Sequence, residues 1–164
     1  MAHLVVAEEQ AVRLRDRVDH GREVRVHPRV DLLEKYDFSL DDVTKFEDSW
    51  DWSNVHGYDF SSRHVDQGRC GSCFMMATTA MLESRIKIWF GEDRQISLQH
   101  RLDCGFLNEG CHGGWGYFDG LWIENYGAVS EQCAPYQASA SPDGCAQWSR
   151  CPKIAGVSDV YYVG

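Results

Sequence analysis

The chain has 164 residues, 16 of them basic and 25 acidic, and a formal charge of −9. A balance this acidic repels phosphate, which argues against nucleic acid or an anionic membrane surface as the main partner. Hydrophobic residues make up 43%, enough for a core, and no stretch approaches the ~20 apolar residues of a membrane span.

Residues 1–48 carry no cysteine and many charges. Val12, Leu14, Val18, Val24 and Val26 give only a patchy helical face, interrupted by Gly21 and Pro28. The segment reads as a solvated extension, propeptide-like or linker, before a globular unit over 49–164. Met1 to Gln10 lacks the apolar core of a signal peptide.

From Ser49-Trp50-Asp51-Trp52 onward the texture turns aromatic and turn-rich. Cys73 to Phe90 reads as a helix of about 27 Å at 1.5 Å per residue, stopped by Gly91. Phe74, Ala77, Met81, Ser84 and Ile88 form its expected apolar stripe. Ser97 is placed to cap a short helix running to Cys104. A third helix is expected over Tyr117 to Tyr126, ended by Gly127, and a strand over Val157 to Val163.

The run Gln67-Gly68-Arg69-Cys70-Gly71-Ser72-Cys73-Phe74 carries the chemistry. A thiol at the start of a helix meets the positive end of the helix dipole, which favours the nucleophilic thiolate. Six residues upstream, the Gln67 amide suits an oxyanion forming at the carbon that Cys73 attacks. The seven cysteines are an odd number, as expected where paired cysteines leave one thiol free. With Cys73 free, the other six allow 15 pairings. The competing use of Cys70 and Cys73 is a zinc site, but no second C-x-x-C follows and no histidine stands at ligand spacing near the later cysteines.

Several separated motifs resemble one family. The Gln67–Phe74 run, Ser97-Leu98-Gln99 leading to Leu102-Asp103-Cys104, and Gly110-Cys111-His112-Gly113-Gly114 are similar, in order and spacing, to the papain-like cysteine peptidases. Phe74 departs from the Trp or Tyr that commonly follows the nucleophile. Trp50-Asp51-Trp52-Ser53-Asn54-Val55-His56-Gly57 looks most like the cathepsin C, or dipeptidyl peptidase I, branch. The resemblance implies an α+β papain-like fold, of which residues 49–164 would be the mainly helical left lobe. It implies Cys73 as nucleophile and Gln67 as oxyanion donor. It further implies Gly113, Gly114 and Trp115 at the substrate edge, and Tyr117 and Tyr162 at a chloride. The pairings Cys70–Cys111, Cys104–Cys145 and Cys133–Cys151 also follow from it. So do peptide or protein substrates, an oligomer, and a lysosomal or secretory location. For Trp115, Tyr117 and Tyr162 the bland alternative is ordinary core packing.

A cysteine peptidase also needs a histidine base, which in this family lies about 130–150 residues past the nucleophile. Counting on from Cys73 overruns Gly164. None of His3, His20, His27, His56, His64, His100 or His112 stands in the family's base context. The expectation is therefore a fragment, with the base-bearing β-rich lobe absent. Two rivals remain: a non-catalytic relic or binding module of the same fold, and a disulfide-stapled secreted scaffold.

Overall fold

A computed structural model describes residues 51–141 and 143–160. The proposed extension over 1–48, Trp50 and Tyr162 lie outside the described residues. The described chain enters through a tight hairpin in which Val55 and Tyr58 exchange both backbone hydrogen bonds, at 2.9 and 2.8 Å. His56 and Gly57 at its tip take φ of 51° and 86°. Two successive positive φ values are what a two-residue turn of this hand requires.

Helix α1 spans Cys73–Phe90 and ends where Gly91, at φ 64°, donates its N–H to Lys87 O. Helix α2 covers Gln99–Cys104. Ser97 Oγ accepts the His100 N–H at 3.0 Å, so the expected serine satisfies one orphan donor of that first turn. A 3-10 turn at Gly110–His112 leads to α3, Gly116–Tyr126. A two-stranded antiparallel ribbon joins β1, Ala128–Val129, to β2, Lys153–Ala155, and the short helix α4, Gly144–Trp148, lies between them in sequence. The strand expected over 157–163 is corrected: residues 157–160 are not strand, and pairing falls on Lys153–Ala155, which faces Ala128–Val129.

The expected face of α1 is corrected too. Phe74 is buried, but Ala77 is exposed and Met81, Ser84 and Ile88 are only half-buried. The buried face runs through Met75, Thr78, Thr79, Leu82, Ile86 and Phe90. Hydrophobicity alone misplaced it because the inner face also carries polar residues, satisfied by partners far away in sequence. Glu83, fully buried, accepts the Ile96 N–H at 2.8 Å. Arg101 of α2 reaches the Met75 carbonyl at 3.4 Å and the Thr79 hydroxyl.

Packing divides into neighbouring clusters. Leu82, Ile86, Phe90, Trp122 and Ile123 join α1 to α3, while Cys70, Phe74, Met75, Leu98 and Leu102 form a core beneath the start of α1. Three disulfides stitch the loops between them: Cys70–Cys111, Cys104–Cys145 and Cys133–Cys151. Beside the second bridge, Asp103 accepts from Gln99 (2.9 Å), the Ser141 N–H (2.8 Å) and the Trp148 indole (2.7 Å). That carboxylate ties α2 to the segment carrying α4.

His100 is buried against Trp122, with ring centroids 5.1 Å apart, and Lys153 Nζ lies 3.2 Å from its Nε2. The lysine donates, so the histidine proton sits on Nδ1, which has no partner among the described residues. Desolvation first, then the positive charges of Lys153 and Arg101, push its pKa down to about 4, against a smaller opposing pull from Asp103. The folded state thus resists a proton that the unfolded chain accepts from about pH 6.5. Stability contributed by the neutral ring is whole above pH 6.5 and is lost as pH falls toward 4. Melting temperatures measured across that window should fall with acidification. His100→Leu should flatten the slope, and an unchanged slope would remove His100 as its cause.

Candidate functional site

Cys73 is the first residue of α1, exposed, and the one free cysteine among the described residues. Ser72, wholly buried, receives the Met75 and Met76 N–H groups on its carbonyl at 3.0 and 3.1 Å. Cys73 stands at the helix start, where its N–H has no intrahelical acceptor and the dipole is positive. A forming oxyanion is favoured there.

The loop from Gln67 to Ser72 is held by covalent and polar ties. Cys70 is bridged to Cys111, and Gly71 N–H donates to Cys111 O at 2.8 Å. Oxidised to Cys111, Cys70 is no partner for a zinc thiolate pair. Tyr136 donates its hydroxyl to Gln67 O at 3.1 Å and lies 2.6 Å from Ser72 Oγ. Among the described residues no hydrogen bond engages the Gln67 carboxamide, which leaves its N–H groups available.

The same disulfide brings in Gly113 and Gly114. Gly113 has φ 117° and ψ −177°, a conformation that disfavours any side chain. A side chain at Gly114 would strike the Asn108 carboxamide. Asn108 Oδ1 accepts the Trp115 N–H at 2.8 Å, fixing this extended edge from behind. Trp115 is 68% exposed, so ordinary core packing is not its role. Tyr117 is half-buried in the first turn of α3, 5.7 Å from the Phe118 ring.

The interior beneath holds a charge pair that the sequence reading missed. Arg101 Nε lies 3.0 Å from Asp119 Oδ1, with side chains 1% and 3% exposed. Burial pushes the Asp119 pKa up, against the opposing pull of Arg101. The contacts of Tyr136 with Gln67 and Ser72, and of Asn108 with Trp115, were missed as well, because their partners are distant in sequence or unmarked by any motif. On the other flank of α1, a groove of about 260 Å3 is lined by Arg63, His64, Met76, Ala80 and Glu83. No described histidine is hydrogen-bonded to Cys73. His100 is engaged with Lys153 and Trp122 instead.

A disulfide-held loop leading to an exposed thiol at a helix start agrees with the comparison to known families. A model described as papain family cysteine protease matches residues 46–163. The chain belongs to the papain family. It is similar to cathepsin B of Dictyostelium discoideum, 32% identical over 99 residues, covering 60% of this chain and 31% of that protein. It is also similar to ananain of Ananas comosus, 34% identical over 123 residues, covering 74% and 34% respectively. Among solved structures it resembles recombinant stem bromelain precursor, with a TM-score of 0.56 and 29% identity over 74% of this chain and 38% of that one. Bromelain from Ananas comosus, solved with the inhibitor E64, gives a TM-score of 0.54 at 29% identity, covering 66% and 48%. The chain spans about a third of the length of these two curated relatives. Its described residues form a mainly helical part of the papain-like α+β fold.

Proposed function

We propose that this chain supplies the nucleophile, the oxyanion donors and one substrate edge of a cysteine peptidase of dipeptidyl peptidase I type. The observation that carries this is the exposed Cys73 at the start of α1, at the end of a loop pinned by Cys70–Cys111. Cys73 sulfur attacks the peptide carbonyl, and the carbonyl oxygen takes the electron pair. Gln67 and the Cys73 N–H stabilise that oxyanion. The leaving amine departs with a proton, and water then releases the acyl group from sulfur. The proton acceptor belongs to the β-rich complement that the family resemblance implies, and the groove beside α1 suits a docked second wall.

Gly113 and Gly114 offer backbone to an extended peptide, and exposed Trp115 borders the pocket for its second residue. By the family resemblance, Tyr117 in the first turn of α3 would hold a chloride together with Tyr162. An oligomer and a lysosomal or secretory setting belong to the same reading, and the three disulfides support an oxidising compartment.

The whole protein should hydrolyse a dipeptidyl amide with a free N-terminus and spare the N-acetylated analogue. Cleavage of both would replace dipeptidyl with endopeptidase action. Cleavage of neither, with Cys73 alkylating like an ordinary thiol, would favour the non-catalytic relic.

A further inference from the structure

We infer that Tyr136 is a positioning residue: its hydroxyl sets the separation between the oxyanion donor Gln67 and the nucleophile Cys73. The inference rests on the peptidase reading above. Gln67 and Cys73 stand at opposite ends of one loop, and an oxyanion hole works only when donor and nucleophile keep a fixed separation. The Gln67 carboxamide has no hydrogen bond among the described residues, so its placement depends on its own backbone. The Cys70–Cys111 bridge pins the later part of the loop, whereas on the Gln67 side Gly68 takes φ 62° and Arg69 is exposed.

The phenol fastens both ends. A carbonyl only accepts, so Tyr136 donates its single proton to Gln67 O and must accept the Ser72 hydroxyl proton in return. Ser72 is wholly buried and immediately precedes Cys73. Among the described residues the other tie to Gln67 O, from the Cys70 N–H, is longer at 3.3 Å. Tyr136 is itself held. Its ring packs against the Cys70, Phe74 and Leu98 cluster, and its N–H donates to Glu131 Oε1 at 2.8 Å. Glu131 Oε2 in turn pairs with Arg63 at 3.1 Å. The hydroxyl is therefore a fixed point delivered from 63 residues beyond the nucleophile.

Two probes of Cys73 separate positioning from general loosening. A peptide aldehyde adds the sulfur to its carbonyl carbon, the C=O π bond opens onto oxygen, and that oxygen rests in the oxyanion hole. Iodoacetamide loses iodide to the same sulfur and makes no oxyanion. In Tyr136→Phe, aldehyde affinity should fall about 10-fold. The iodoacetamide rate should stay within about twofold of the parent, since the helix dipole acting on the thiol is untouched. Ser72→Ala, which removes only the second bond, should move aldehyde affinity in the same direction and decides the matter if the first variant does not fold. Equal aldehyde affinity in parent and variant, or parallel losses with both probes, overturns the inference and leaves the peptidase reading standing. Absence of any saturable aldehyde adduct in the parent overturns both.

Discussion

Arg101→Met should come close to unfolding the protein. The guanidinium is buried against Asp119 and also donates to Ser97 O at 2.7 Å, to Met75 O and to the Thr79 hydroxyl. One side chain thus joins α1, α2 and α3. Methionine fills much of the volume but leaves the Asp119 carboxylate without its counter-charge in a poorly solvated interior. Breaking a buried pair from one side costs about 3–5 kcal/mol. Domains of this kind hold a total of about 5–15 kcal/mol, so the loss is a large share.

The pH dependence gives the loss a signature. Burial already raises the Asp119 pKa, so the neutral acid is the better tolerated form in the fold. Stability from such a group is present below its unfolded pKa of about 3.9 and lost as pH rises through the folded value. The deficit of Arg101→Met should therefore shrink in acid, where the uncompensated carboxylate is protonated. Adding Asp119→Ala should recover most of the loss at neutral pH. Urea unfolding of the parent, the single variant and the double variant measures this, and a single-variant loss below about 1 kcal/mol would refute the account.

Replacing both Cys70 and Cys111 by serine should cost about 4 kcal/mol on the chain-entropy account, given their separation of 41 residues. The expected damage is also local. Without the bridge, the Gly71 N–H to Cys111 O bond would remain, among the described residues, to hold the loop from Gln67 to Cys73 against the Gly113 and Gly114 edge. Thermal melting should fall, and peptide aldehyde binding should weaken more than iodoacetamide alkylation. An unchanged melt would show that the buried core beneath α1, and not the crosslink, keeps the loop in place.

Elements with a local cause were legible in advance. Helix α1 begins at Cys73 and ends at Phe90 as expected, because Gly91 supplies the left-handed stop. Gly127 ends α3 with φ 69°, and Ser97 caps α2 through a bond three residues long in sequence. The candidate run was legible for the same reason: Gln67, Cys70 and Cys73 lie within one short stretch. The disulfide partners came only through resemblance, since 15 pairings were open to the residues alone.

What the sequence determined by itself, then, was the candidate run from Gln67 to Cys73, the main helix and an acidic, cysteine-rich composition. Only the tertiary structure decided which face of α1 is buried, because Thr78, Thr79 and Glu83 are inside by virtue of Arg101, Asp119 and the Ile96 N–H. It alone placed Tyr136 on Gln67 and Ser72, and Asn108 on Trp115. The physical reason is common to all of these. A cap or a stop is satisfied within a turn of chain, whereas a buried polar group is satisfied by whatever the fold brings to it, and sequence spacing holds no record of that partner.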